Sequence, residues 1–367
     1  MTNRLLGDIC KPKQWPALGK TQMSSTGYPV YGANGVIGFT SSFTHEHPTI
    51  LIGCRGTIGS VHITQPRSYA SSNAMALDCL DTDSVEMRYL ARFLEFRGVA
   101  DVTTGSSQPQ LTRSGLSGIE VPVPPMSHQK HVADVLDRAE AARVSQKLVL
   151  DKLMLMPQAV FQQISDAPQA SSRDGYRPLE EWIDPQRPIT YGILKPGDHI
   201  EGGTPYVRVA DMKNGGIELA GLRRTTPAIA DQYRRSKLAT GDLLISIRGH
   251  VGRLALVPPE LDGGNITQDS ARLAVVDPTS AAYLRVALES PTLQHWMAQR
   301  TKGAAVRGIN LGDLRQAPIP VPSRRAQGRI AAAATEISWL ATCARQGLVL
   351  AEQLFASLQA RAFTGQL

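Results

Sequence analysis

The sequence predicts a mixed α+β chain in which one plan, a strand-rich globular unit followed by a long helix, is used twice. Three observations carry this. Val121-Pro122-Val123-Pro124 recurs as Ile319-Pro320-Val321-Pro322 at a shift of 198, where Gly105, Leu116, Gln129 and Val132 also find Gly303, Leu314, Gln327 and Ile330. Leu51 to Gly59 finds Leu244 to Gly252 at a shift of 193. After each proline run the apolar residues step by four and three, the period of a long helix. Proline fixes φ and removes an amide donor, so both runs must be extended exits from a globular unit.

The first unit spans 1–125. Tyr28 to Phe39 reads as two strands around Asn34-Gly35, a strong hairpin signal. Thr49 to Ile63 reads as a buried strand, a glycine-rich turn and a second strand. Ser84 to Gly98 has helical spacing, with Ser84 as N-cap and Gly98 as stop. The first long helix covers 126–165. Its predicted seam is Val135, Ala139, Ala142, Gln146, Val149, Leu153, Met156 and Val160, and Pro157 is expected to kink or end its regular part. A polar, breaker-rich linker, 166–176, follows.

The second unit spans 177–322. Arg177 matches Arg4 at a shift of 173, so about 20 additional residues precede the glycine-rich hairpin, expected around Thr190 to Gly203. Thr279 to Gln299 reads as helical. The second long helix lies within 323–367. One of its stripes is Ile337, Ala341, Ala344, Leu348, Ala351, Phe355, Leu358 and Ala362. A stripe rich in small residues suits close approach to more than one neighbour, and two helices of similar length can pack on each other.

Composition narrows the function. With 367 residues there is room for two domains, and 42% hydrophobic against 19% charged residues is ordinary for a globular chain. Aromatics at 5% leave the core to Leu, Val, Ile and Ala. The net charge of +7 favours an anionic partner, nucleic acid being the commonest. It is uneven: residues 1–165 carry 15 Lys/Arg against 13 Asp/Glu, and 166–367 carry 24 against 19. The 4 cysteines, Cys10, Cys54, Cys79 and Cys343, show neither a zinc spacing nor a disulfide framework, which fits reduced thiols in a cytoplasm. No leader and no membrane span is expected.

The search for catalytic motifs is negative. Gly19-Lys20-Thr21 ends like a phosphate-binding loop, but Gln14 stands where its first glycine belongs and Pro16 lies inside it. Gly53, Gly56 and Gly59 are followed by a strand, whereas a dinucleotide fingerprint opens a helix. Asp211-Met212-Lys213 lacks the upstream Pro-Asp of a nuclease site, and His45/His47 and His128/His131 read as surface pairs rather than metal ligands. What remains is binding chemistry at predicted turns: Arg55, Thr57, Gln108, Gln110 and Arg113, then Arg248, His250, Arg253, Lys302 and Arg307. Arginine and glutamine read guanine and adenine by paired hydrogen bonds, and Lys, Ser and Thr hold phosphates. Solvated loop tips are the competing explanation for each. Arg55 and Arg248 stand apart because they recur at equivalent places, although both could brace the hairpin or face a protein partner.

The layout resembles the specificity subunit of type I restriction–modification systems. The carrying residues are Tyr28 to Gly35, Leu51 to Gly59 and Gly105 to Leu111 running into Val121 to Pro125. In the second half they are Pro205 to Met212, Ile247 to Gly252 and Ile319 to Pro322. Two features depart from the family pattern: Val306 to Asn310 lacks the Gln-Pro of Gln108-Pro109, and Pro157 falls where the family's first helix continues. The resemblance implies two α/β target-recognition domains, each followed by a long helix, the helices packing as an antiparallel coiled coil with pseudo-twofold symmetry. It implies a non-catalytic reader of double-stranded DNA with a bipartite target, in a bacterial or archaeal cytoplasm. Two methyltransferase subunits would dock on the helices and nearby domain surfaces, and restriction/translocase subunits would join through them. S-adenosylmethionine, ATP and Mg2+ would belong to those partners, with no cofactor and no metal in this chain. Helix packing would use Val135, Ala139, Val149 and Leu153 with Ile337, Ala344, Leu348, Ala351 and Leu358. Two other readings stay open on the residues: a duplicated protein-interaction scaffold, and a stand-alone nuclease or methyltransferase.

Overall fold

The computed structural model describes residues 2–105, 108–165, 175–213, 215–303 and 307–367. Ser106, Ser107, Val306 and most of the expected linker, 166–174, lie outside the described residues. The chain forms two compact units, 1–147 with 346–367 and 148–345, so each takes half of each long helix.

The first unit begins with β1 (Thr2–Leu5), α1 (Leu6–Ile9), β2 (Lys11–Gln14), β3 (Tyr28–Gly32), β4 (Gly35–Thr40), β5 (Ile50–Gly53), β6 (Val61–Ile63), β7 (Tyr69–Ala70) and β8 (Ala74–Asp78). It continues with α2 (Met87–Arg97), β9 (Thr103–Thr104), β10 (Gln110–Leu111), α3 (Arg113–Ser117) and β11 (Glu120–Val123), and delivers the chain to α4 (Met126–Ser165). Its main sheet has the order β2-β8-β5-β6, and a smaller one has the order β4-β3-β7. The alternation of β5 explains the layering. Ile50 and Ile52 face Leu6, Leu90 and Leu94, while Leu51 faces Tyr31, Ala70 and Ala76. A strand covered on both faces must read as a continuous apolar run, as this one does.

The second unit holds β12 (Tyr176–Pro178), β13 (Thr190–Tyr191), β14 (Thr204–Val207), β15 (Met212–Lys213), β16 (Gly216–Ile217), β17 (Arg223–Thr225), α5 (Pro227–Gln232), β18 (Leu243–Ser246) and β19 (Leu254–Leu256). Then come β20 (Asn265–Ile266), β21 (Ser270–Leu273), α6 (Pro278–Leu288), α7 (Pro291–Arg300), α8 (Leu311–Arg315), β22 (Pro318–Pro320) and α9 (Arg324–Phe363). Its sheets, β13-β21-β18-β19 and β17-β14-β20, repeat the first unit's orders strand for strand. Strand register corrects the position of the additional residues. Pro29 and Pro205 both pair with the neighbouring antiparallel strand, a shift of 176, whereas Leu51 and Leu244 differ by 193. Seventeen residues (193 less 176) are therefore added between Pro205 and Leu244, as the β15-β16 hairpin and α5, and none near Thr190 to Gly203. Sequence matches at the two flanks bracket an insertion without locating it.

The proline exits are held by duplicated locks. Tyr89 donates its hydroxyl to the Pro122 carbonyl at 3.0 Å, and Tyr283 to that of Pro320 at 2.7 Å. Fully buried Gln129 donates to Ser84 and Pro124 carbonyls, both 2.8 Å, and accepts from Glu86 N; Gln327 donates to the Pro322 carbonyl at 2.9 Å. Carbonyls freed by the Pro-x-Pro pattern thus find side-chain donors, as buried backbone must.

Several local expectations need correction. Glu86, accepting from Tyr89 N, caps α2 in place of Ser84; Gly98, at φ +67°, does end it. The stretch Thr279 to Gln299 is two helices, because Ser290 caps a new one with Pro291 in its first turn. The β3-β4 turn uses Ala33 and Asn34, with Gly35 already paired to Gly32. Most plainly, α4 continues through Pro157 to Ser165. A mid-helix proline costs about 3 kcal/mol, and burial of Phe161 and Ile164 against Tyr283, Leu284 and Ile330 offsets it.

Within each unit the two long helices pack together. In the first, early α4 (Val132, Ala133, Leu136) meets late α9 (Phe355, Leu358, Ala362), an antiparallel arrangement. In the second, Phe161 of late α4 shares a core with Ile330 of early α9. On α9 the expected stripe is the covered one: Ile337, Ala341, Ala344 and Ala362 are buried and Leu348, Ala351, Phe355 and Leu358 half-buried. On early α4 the covered apolar residues are Val132, Ala133, Leu136 and Ala139, of which the expected seam included only Ala139. Val135 and Leu153 are half-buried, while Val149 is 45% exposed. Adjacent stripes on a long helix satisfy the same period, and the neighbours choose between them.

Burial gives alkaline pH a destabilising sign. The Cys10 thiol and the Tyr89 phenol are each pushed up to about 12, chiefly by burial, and burial also raises Tyr283. The unfolded chain releases these protons from about pH 8.5 for the thiol and about pH 10 for the phenols. The folded chain therefore keeps protons that the unfolded one loses. We expect stability to be full below about pH 8.5 and to fall as pH rises toward 12, by up to ~1.4 kcal/mol per pH unit and group. Urea unfolding between pH 8 and 11 measures it, and Cys10→Ala with Tyr89→Phe should flatten the slope.

Candidate nucleic-acid interface

Both units build the same loop pair from the same bonds. After β5 the chain turns through Arg55-Gly56-Thr57, and after β18 through Arg248-Gly249-His250. Gly56 and Gly59 have φ of +75° and +83°, and Gly249 and Gly252 of +72° and +89°. Glycine recurs there because a side chain would be strained. Cys54 and Arg55 donate their amides to the Asn73 carbonyl; Ile247 and Arg248 donate theirs to Asp269. From the second loop, Leu111 N donates to Cys54 O at 3.1 Å, and Ile309 N to Ile247 O at 2.9 Å.

In the first unit these bonds bring Arg55 and Thr57 beside the β9-β10 hairpin, which presents Gln108 and Gln110. Arg113 opens α3 behind them, where Thr112 caps the helix by accepting from Gly115 N. All five side chains are exposed. Among the described residues, none of them makes a side-chain hydrogen bond or ion pair.

In the second unit the loops enclose an open groove of about 730 Å³ lined by Arg248, His250, Gln268, Asp269, Lys302 and Asn310. Gly249 N donates to Arg307 O, and Lys302 exchanges two 2.9 Å backbone bonds with Gly308. Arg248, His250, Lys302 and Arg307 are exposed. Arg248 Nη1 reaches Gln268 Oε1 at 3.4 Å, which holds the guanidinium at the rim without neutralising it. Arg253 differs from the others. Its Nη1 donates to the Val209 and Met212 carbonyls at 3.1 and 3.2 Å, so it braces the loop after β14. Gln268, Asp269 and Asn310 are groove residues that sequence reasoning missed. Gln268 stands where register puts Ser72 in the first unit, so recurrence could not flag it.

The arrangement presents cationic and amide side chains at the tips of rigid hairpins, where they can meet base edges and phosphates. Among the described residues no group of three or more His, Cys, Asp or Glu could hold a metal, and no helix is long and apolar enough to cross a membrane. The four cysteines are free, Cys10 and Cys54 buried, Cys79 and Cys343 exposed.

The family model described as the type I restriction modification DNA specificity domain matches residues 1–148 and 193–337. The chain belongs to that family. A curated relative, the EcoBI type I restriction enzyme specificity subunit of Escherichia coli, is 30% identical over 300 residues. That match covers 72% of this chain and 62% of the relative. The EcoprrI type I restriction enzyme specificity subunit, also from E. coli, is 25% identical over 112 residues, 30% of this chain and 27% of that one. Among solved structures, the S subunit of a type I restriction–modification system from M. genitalium superposes with a TM-score of 0.69 at 15% identity, covering 98% of this chain and 95% of that one. A chain from a study of complex assembly in a type I system gives 0.56 at 18% identity, covering 100% and 98%. These structures share the fold of the specificity chain, mixed helix and strand with two long helices packed together.

Proposed function

We propose that this specificity chain is the non-catalytic DNA reader of a type I restriction–modification complex, each unit reading one half of a bipartite target in double-stranded DNA. The observation that carries the reading is the matched loop pair, with Arg55 and Arg248 exposed at the same turn on the same backbone bonds. A catalytic site need not be duplicated with its loops intact; a reader of two half-sites must be.

The long helices support docking of methyltransferase subunits, two per chain. In the first unit Val144, Val349, Leu350 and Leu354 are exposed, and in the second Leu148, Leu155, Trp339 and Leu340. Large apolar side chains in such number on one pair of elements mark a protein interface. S-adenosylmethionine, ATP and Mg2+ would then be held by partner subunits, and the complex would act on cytoplasmic DNA.

Single substitutions test the reading. With the methyltransferase co-expressed, Arg248→Ala should weaken or relax recognition in one half of the methylated motif, by about 1–3 kcal/mol, roughly 5- to 150-fold. Arg55→Ala should do the same to the other half. Methylation mapping decides it: variants that leave both halves at full strength would remove these arginines from the interface.

A further inference from the structure

The second unit carries a basic cleft that the duplicated plan does not account for. An open hollow of about 770 Å³ is lined by Arg187, Arg234, Arg235, Lys237, Arg272 and Arg315, against one lining carboxylate, Asp262. Asp262 already accepts from Thr240 N at 3.1 Å. Arg187 is neutralised by buried Asp242, at 2.6 and 2.9 Å. Arg234, Arg235 and Lys237 are exposed and have no ion-pair partner among the described residues. Arg272 is 2% exposed; its Nη2 donates to the Pro188 and Arg235 carbonyls, and its Nε has no partner.

Burial, and then the neighbouring Arg187, work against the Arg272 cation and lower its pKa, and Asp242 and Asp184 offset this only in part. A buried cation among cations is costly unless an anion joins it. The cluster also belongs to this unit alone. Register puts Ala76 of the first unit where Arg272 stands, and the exit shift puts Ser117 where Arg315 stands. Arg234 to Lys237 lie between β17 and β18, where this unit has eight more residues than the first (193 less 185).

The cleft is joined to the groove at Arg248 by one short segment. Ile189 O accepts from Arg315 Nη2 at 3.3 Å on the cleft side, and Ile193 O accepts from Gln268 N at 3.0 Å on the groove side. Four residue steps span at most roughly 13 Å, about four nucleotides of one strand at 3.4 Å each. Exposed, long cationic side chains along an open cleft suit a repeating phosphodiester.

The geometry points to a DNA-backbone track, in which Arg234, Arg235 and Lys237 hold phosphates flanking the half-site read at Arg248. This rests on the reading of the unit as a DNA reader. Holding phosphates would position the duplex without contributing to sequence choice.

The test is the triple variant Arg234→Gln/Arg235→Gln/Lys237→Gln in the full chain, purified with its methyltransferase partners. These side chains are exposed, so unchanged thermal unfolding serves as the folding control. Binding to duplexes with and without the methylated motif is followed over a range of KCl. We expect the slope of log K against log salt to shrink by about 2.7, three contacts at about 0.9 each, equally on both duplexes, with the motif unchanged. A wild-type slope in the variant would overturn the proposal and leave the two-reader account standing. A changed motif would also overturn it, because the cleft would then read bases. Titration with inorganic phosphate separates the remaining source: phosphate binding lost in the variant, with the DNA slope intact, would make this a small-anion site. Absence of salt-dependent binding by the wild-type complex would instead defeat the underlying reading.

Discussion

Tyr283→Ala should unfold the second unit at a temperature where the first still holds. Tyr283 is fully buried, its ring lies 5.5 Å from Trp182 and 6.1 Å from Phe161, and its hydroxyl donates to the Pro320 carbonyl. It thereby ties α6 to the end of α4 and to the strand that feeds α9. Removing a buried aromatic ring costs roughly 3–5 kcal/mol, and the orphaned carbonyl adds about 1 kcal/mol. At roughly 2–4 °C per kcal/mol for a unit of this size, its melting should fall by about 10–20 °C. Tyr283→Phe, which keeps the ring, should lose only the hydrogen bond, about 1 kcal/mol. Hydrogen exchange resolved by segment distinguishes the units, which have separate cores. Residues 243–320 should lose protection in the alanine variant while 50–94 keep theirs. Equal loss in both would mean that the chain unfolds as one body.

Much of this architecture is legible in the sequence because duplication prints each constraint twice. The proline exits, the glycine pairs at the hairpin tips and Gln129/Gln327 each recur where the backbone has the same unmet need. The α9 stripe from Ile337 to Ala362 is readable because its apolar residues step by four and three along most of the forty-residue helix. What fails is whatever depends on a neighbour far away in sequence. The early α4 seam is set by late α9, which tips the choice to Val132, Ala133 and Leu136. Pro157 reads as a breaker because Tyr283, on which Phe161 packs, lies more than a hundred residues further along. Among the candidate readers, Arg55 and Arg248 could be singled out by recurrence. Arg253, which has Ser60 at the equivalent place, could not be recognised as a brace, since its carbonyl partners follow β14. Arg272, between Ala271 and Leu273 of β21, is buried in the cleft wall, and nothing in its local sequence signals this.

The largest functional effect should come from exchanging residues 1–125 for the same domain of another member of the family. Everything needed for the first loop pair lies inside that stretch, from Arg55 to Arg113 and the sheet that carries them. The exchange crosses contacts with both long helices: Gln129 of α4 bonds Ser84, Glu86 and Pro124, and Arg88 and Arg92 pair with Asp134 and Asp137. Phe363 of α9 packs on Tyr89, Phe93 and Phe96, with ring centroids 5.3–5.6 Å apart. A donor that keeps aromatic residues at those α2 positions should therefore accept α9 without a cavity. Each good base contact contributes about 1–3 kcal/mol of discrimination. Replacing the whole reader should then move one half of the target to new bases and leave the other untouched.

The measurement that bears most directly on the two-reader account is the methylome of cells carrying this chimaera with the methyltransferase. The account predicts a motif in which one half is the donor's and the other is unchanged from the parent. A motif changed in both halves, or in neither while methylation persists, would contradict it.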